Sequence, residues 1–154
     1  MNDLVLAESP SEIEEIRKLF LEYEKSLDID LCFQDFDEEL ENLPGEYAAP
    51  SGRMILAFEG NAIAGCVALR KLSGDACEMK RLYVKPEYRG AGIGRRLAEA
   101  VMREARTIGY TKMYLDTLAS MKEAVGLYRS VGFEETEPYR YNPCADCRFM
   151  ALKL

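Results

Sequence analysis

Arg89-Gly90-Ala91-Gly92-Ile93-Gly94-Arg95 follows Leu82-Tyr83-Val84-Lys85-Pro86 and precedes a long amphipathic run. Three glycines at alternate positions let the backbone turn its N–H groups toward one point, and a helix starting there adds the positive end of its dipole. The lead-in is apolar, aromatic and β-branched and stops at Pro86, so it reads as a strand ending just before the loop. Strand, glycine loop and helix together make a phosphate cradle. It is not the triphosphate-hydrolysing kind, because Gly94 is followed by Arg95-Arg96 where a lysine and a Mg²⁺-binding hydroxyl would stand. Nor is it the dinucleotide kind, since its glycines are spaced G-x-G-x-G rather than G-x-G-x-x-G.

Working outward, Ile93, Leu97, Val101, Ala105 and Ile108 share one face of a helix closed by Gly109. Upstream, Arg53 to Glu59 and Ala62 to Lys71 read as strands joined at Gly60-Asn61, and Ser73-Gly74-Asp75 turns into a strand over Ala76 to Val84. Downstream, Thr111 to Leu118 is a strand that a right-handed crossover sets parallel to Ala76–Val84. Ser120 to Glu123 has the form of a capping box, opening a helix that ends at Gly132. Phe133 to Glu137 and Cys147 to Leu154 form the last strand pair. At the start, Asp3 to Ala7 is a short strand, and Ser9-Pro10-Ser11-Glu12 caps a helix whose apolar stripe is Ile13, Ile16, Leu19, Phe20, Tyr23 and Leu27. A second short helix is expected near Asp37 to Asn42. The element order is βααβββαβαββ.

The 154 residues are 48% hydrophobic, enough for the core of one domain over residues 1–154. No run of eighteen apolar residues occurs, and the acidic start lacks the basic-then-apolar form of a signal peptide, which predicts a cytoplasmic chain with no membrane contact. Five cysteines without a regular framework suit a reducing compartment. With no histidine, Ser-His-Asp and Cys-His nucleophiles and histidine metal sites are excluded, and no metal is expected. Cys144-Ala-Asp-Cys147 has neither a second pair nor a helix start beside it, which argues against zinc or redox use. Net charge is −7, which argues against nucleic acid. Residues 1–50 hold 15 acidic and 3 basic side chains, against 12 and 17 in the remainder. That asymmetry suits a protein bringing an anionic cofactor to a cationic amine, and equally a set of acidic helices facing water.

Arg89, Gly92 and Gly94 form R-x-x-G-x-G directly after a strand, and the match in order and spacing runs from Glu78 to Phe133. In this the chain resembles the GNAT superfamily of acetyl-CoA-dependent N-acetyltransferases. The resemblance covers essentially the whole chain. It implies an α/β (α+β) fold with a mixed central sheet of about seven strands flanked by about four helices. It also implies acetyl-CoA as co-substrate. Leu82, Tyr83 and Val84 would then meet pantetheine and acetyl, and Arg89, Gly90, Ala91, Gly92, Ile93, Gly94 and Arg95 the pyrophosphate. Ala124, Leu127 and Tyr128 complete the cofactor side, in a segment where relatives bring a tyrosine hydroxyl to the coenzyme sulfur. Many relatives carry an asparagine where this chain has Met121, so the resemblance does not carry that side chain's pantetheine contact over to this chain.

Acetyl transfer from a thioester to an amine needs a neutral nucleophile, a polarised carbonyl and a proton for the departing sulfur. Backbone N–H groups of Leu82–Val84, where two parallel strands splay, supply an oxyanion hole. Glu78 is the candidate base: it stands four residues before Leu82, shares its face by the period of two, and occupies the position some relatives use. The alternative is a salt-bridged strand residue beside Lys80 and Arg81. Tyr128 is the candidate acid toward the thiolate, or a packed core tyrosine on one face with Ala124, Leu127 and Val131. The acceptor would meet Phe33 and Gln34 in the first connection, Glu78, and Tyr139, Arg140 and Asn142 in the last. Arg140 or Asn142 anchors a carboxylate or polar acceptor such as an amino acid, or that stretch is a surface loop. The expected activity is direct transfer to a primary amine of a small molecule or peptide in a ternary complex. Another acyl-CoA, or a non-catalytic acyl-CoA sensor, is the alternative, and family resemblance admits a homodimer.

Overall fold

The computed structural model describes residues 2–27, 36–139 and 146–154. Phe33, Gln34, Arg140, Asn142 and Cys144 lie outside the described residues. Seven strands form one sheet in the order β1-β2-β3-β4-β5-β7-β6. They are β1 (Asn2–Leu6), β2 (Arg53–Glu59), β3 (Ala62–Ser73), β4 (Ala76–Val84), β5 (Lys112–Leu118), β6 (Glu134–Glu135) and β7 (Cys147–Lys153). The helices are α1 (Pro10–Leu27), α2 (Phe36–Glu41), α3 (Ile93–Ile108) and α4 (Lys122–Ser130). The element order is therefore the expected one. None of the described helices is long and apolar enough to cross a membrane.

Local signals explain most boundaries. The Glu12 N–H donates to Ser9 Oγ at 3.3 Å and the Ser9 N–H to Glu12 Oε1 at 3.0 Å, a reciprocal capping box at the head of α1. The expected box at Ser120 to Glu123 does not form. Helix α4 starts at Lys122 with Met121 in the cap position and no side-chain cap. The Ser120 N–H is drawn instead to Asp146 Oδ2 at 3.0 Å, so the turn is tied to β7 rather than to its own helix. Strand β6 is also shorter than expected, two residues rather than Phe133 to Glu137. Phe133 leaves the ladder to pack in the core at 2% exposure.

Two apolar layers sandwich the sheet. Leu97, Val101 and Ala105 of α3 pack with Val67, Leu69, Cys77, Met79, Met113 and Leu115 on one face. On the other, Ile16, Leu19 and Phe20 of α1 and Phe36 of α2 pack with Met54, Leu56, Cys66, Ala68 and Tyr83. Each of these large side chains contributes about 1.5–3 kcal/mol on burial.

Two irregularities in β4 set up the site. Its parallel ladder with β5 covers only Ala76↔Lys112, Cys77↔Met113 and Glu78↔Tyr114, after which the strands diverge. The β3–β4 register also slips between Cys66 and Ala68, where Arg81 takes a φ of 58°. This bulge reverses the alternation. Cys77 and Met79 face α3 before it, and Leu82 and Val84 face α3 after it. Glu78 consequently lies on the opposite face from Leu82, and the shared face expected from the period of two is corrected by the extra residue.

The bulge is pinned from both sides. The Cys66 thiol donates to the Arg81 carbonyl at 3.4 Å. Arg81 reaches α2, where Nε and Nη2 donate to the Glu39 carboxylate at 3.1 and 3.2 Å above the ring of Phe36. Gly65 gives β4 room, because a Cβ there would stand 2.4 Å from the Tyr83 carbonyl oxygen. Gly65→Ala is therefore expected to cost roughly 2–4 kcal/mol, read as a lower urea midpoint at unchanged m. A shift worth less than about 0.5 kcal/mol, the ordinary surface value, would mean the contact is not tight.

Candidate active site

A cleft of about 650 Å³ runs from the glycine loop to the gap between β4 and β5. Leu82, Tyr83, Val84, Arg89, Gly90, Gly92, Ile93, Gly94, Arg95, Ala124, Leu127 and Tyr128 all line it. Of the expected cofactor residues only Ala91 is absent from the wall; it is exposed at the turn of the loop. The sequence reading missed Tyr23 and Ser26 of α1, Tyr88, and Ser120 to Glu123 at the head of α4. Tyr23 was hidden by its place in an apolar helical stripe; its polar tip, one turn from Ser26 at the stripe's end, was the available signal.

At one end of the cleft, Gly92 caps α3 with a φ of 81° and no side-chain cap. That left-handed conformation is cheap only for glycine, and it leaves the first N–H groups of a 16-residue helix open toward the cleft. Arg95 donates to Ser130 Oγ at 2.7 Å, joining α3 to α4. Arg89 folds back, its Nε donating to the Val84 carbonyl at 2.8 Å with the guanidinium over the Tyr83 ring. The arginine of the R-x-x-G-x-G pattern thus also closes the end of β4. Open helix N–H groups, two arginines and a glycine lining suit a pyrophosphate.

At the other end stands Tyr128, 7% exposed and packed edge-on against Phe133. Among the described residues its hydroxyl has no hydrogen-bond partner. A buried phenol that lines a cleft without a partner is the group a bound ligand would satisfy. Burial raises its pKa, with Tyr23 and Asp116 adding to the effect, so the proton stays on the oxygen.

On the face away from α3 lies a buried charged cluster. Glu78 has 0% exposure; Arg70 Nε donates to its Oε1 at 2.9 Å and Tyr139 Oη to its Oε2 at 2.6 Å. Lys80 Nζ stands 3.9 Å from both Glu78 and Asp116. Arg70 also reaches Glu46 at 2.8 Å. Tyr139 packs between Tyr114 and Phe149, beside the last rung of the β4–β5 ladder. Glu78 and Tyr139 are absent from the cleft wall, so the structure brings Tyr128 and the expected cofactor residues together and sets Glu78 apart from them, on the face of β4 opposite Leu82.

A mixed sheet with a splayed central strand pair, an uncapped helix over a glycine loop and a phenol at the gap define an acyl-CoA transferase. The Acetyltransferase (GNAT) family model matches residues 13–133, and the chain belongs to that family. It is 40% identical over 147 residues to an uncharacterized N-acetyltransferase of Schizosaccharomyces pombe, covering 94% of this chain and 90% of that one. Its fold is similar to that of a GNAT-family acetyltransferase of Staphylococcus aureus, with TM-score 0.82, 23% identity and 99% of each chain covered. It is also similar to that of a Salmonella typhimurium acetyltransferase solved with acetyl-CoA, with TM-score 0.76, 17% identity, and 99% and 94% of the chains covered. The protein is an acetyl-CoA-dependent acetyltransferase.

Buried neutral acids around the site give the fold an alkaline limit. Burial pushes Tyr23 and Cys77 up to about 12 and raises Tyr47, Cys66 and Tyr128 as well. In the unfolded chain thiols ionise near 8.5 and phenols near 10. Below about pH 8.5 both states hold these protons and stability is unaffected; between there and about 12 the unfolded chain loses them first, so stability falls as pH rises. Melting temperature should drop steadily from pH 9 to 12, less steeply in Cys66→Ala and Tyr128→Phe. A flat profile to pH 11 would refute the buried neutral assignment.

Proposed function

We propose that this enzyme transfers acetyl from acetyl-CoA directly to a primary amine held with it in a ternary complex. The carrying observation is a cleft beyond the paired part of β4, walled by the glycine loop, α1 and α4 together, with Tyr128 among its lining residues. One shared cleft lets thioester and amine meet without a covalent enzyme intermediate. The backbone N–H groups of Leu82 to Val84, beyond the end of the β4–β5 ladder, polarise the thioester carbonyl as the amine nitrogen bonds to its carbon. The carbon–sulfur bond then breaks with its electrons on sulfur. Tyr128 donates its hydrogen bond to that sulfur, which its raised pKa favours over complete proton transfer.

The amine's proton leaves on the other side. Glu78 is fully buried, while Tyr139 is partly exposed and donates to it at 2.6 Å. The proton therefore passes to the Tyr139 oxygen as the Tyr139 proton moves to Glu78. The cluster of Glu46, Glu78 and Asp116 around Arg70 and Lys80 also suits an acceptor that arrives as a cation. A second reading keeps Glu78 as an anchor for Arg70 and Tyr139, favoured by the two partners it already holds.

The test is acetyl-CoA with a panel of amines, amino acids and peptides, reading free thiol. Tyr128→Phe should lower kcat about 10²–10³-fold, the usual span for one lost hydrogen-bond donor to developing charge. Glu78→Gln and Tyr139→Phe should each lower kcat about 10²–10⁴-fold, the usual span for a lost acid–base group. A near-wild-type kcat with a raised acceptor KM would assign Glu78 to anchoring. Tight CoA binding with no thiol release on any acceptor would overturn the transfer reading.

A further inference from the structure

The inner end of the cleft has a wall that neither the sheet nor α4 supplies. Tyr23, in the C-terminal half of α1, lines the cleft with Leu82, Tyr83 and Tyr128. Its ring meets that of Tyr83 edge-on, centroids 6.1 Å apart and planes at 69°. It packs against the layer formed by Ile16, Leu19 and Phe20, so the ring is held from behind by the core. Leu82 and Tyr83, which share the wall with it, lie on β4 beyond the last paired rung with β5. The glycine loop and the head of α3 line the same cleft.

We propose that the Tyr23 ring closes the inner end of the cleft against the acyl group and so sets which acyl-CoA the enzyme accepts, disfavouring chains longer than acetyl. The inference rests on the reading of the cleft as the acyl-CoA site. A thioester laid with its pyrophosphate on the glycine loop brings its acyl carbons to this wall. A longer chain must displace a ring braced by Tyr83 and by the α1 layer. One methylene too many in an apolar pocket is worth about 10- to 200-fold. The ring acts by its volume, so removing the hydroxyl alone leaves selection in place.

The experiment is calorimetric titration of CoA, acetyl-CoA and butyryl-CoA into the wild-type protein and into Tyr23→Phe, Tyr23→Leu and Tyr23→Ala. The readout is the ratio of butyryl-CoA to acetyl-CoA dissociation constants within each protein, which cancels any general loss of affinity or of folded fraction. Wild type and Tyr23→Phe should bind butyryl-CoA at least about tenfold more weakly, and Tyr23→Leu and Tyr23→Ala should bring the two within about twofold. Equal binding by the wild type, or a wild-type ratio in both smaller variants, overturns the proposal while CoA binding leaves the cofactor reading standing. Failure of CoA itself to bind the wild type would overturn both.

Discussion

The site depends on the point where β4 stops pairing with β5. A parallel ladder satisfies backbone groups on both strands, and breaking it early leaves polar groups that a bound amide or thioester carbonyl must replace. The ladder ends at Glu78↔Tyr114, while β4 runs on to Val84 and β5 to Leu118. The gap therefore opens inside the sheet rather than at its edge. Through it the two faces of the sheet communicate, one carrying α3 and α4, the other α1, α2 and the charged cluster.

The divergence is held open by interactions at some distance from it. Arg81 sits in a left-handed conformation that a side chain adopts only under restraint, and the bidentate contact to Glu39 supplies that restraint. Glu39 is itself fixed by the Tyr47 hydroxyl at 2.8 Å. Buried charges of this kind add little net stability but punish any arrangement that separates them. Their effect here is specificity of register: the bulge turns Leu82 and Val84 toward the α3 face while Glu78, Lys80 and Arg81 stay on the other. A uniform strand would put Glu78 and Leu82 on one face.

Much of this was legible beforehand. The strand, glycine loop and helix sequence located the anion end, because glycine spacing and an apolar helical stripe are local properties. The alternation in β2 to β4 and the apolar face of α3 gave the layers for the same reason. What local pattern misjudged were the places where a distant group competed. Ser120 had the form of a cap, but Asp146 took its N–H. Tyr23 had the form of a core residue and became a wall of the cleft. Glu78 lies on the face opposite Leu82 rather than on the same one, because the register slip depends on Cys66 and Gly65 in another strand.

By itself, then, the sequence determined the element order, the two apolar layers and the glycine loop at the head of α3, all set by periodicity, capping and turn chemistry within short windows. The tertiary structure alone decided how far β4 and β5 pair, where β4 bulges, and which side chains face each other across the gap. Those outcomes follow from the ion pair between Arg81 and Glu39, the close approach of Gly65 to Tyr83 and the hold of Arg70 and Tyr139 on Glu78. Except for Arg70 and Glu78, which face each other across one hairpin, these partners lie 18 to 61 residues apart, beyond the short windows in which periodicity and capping are read.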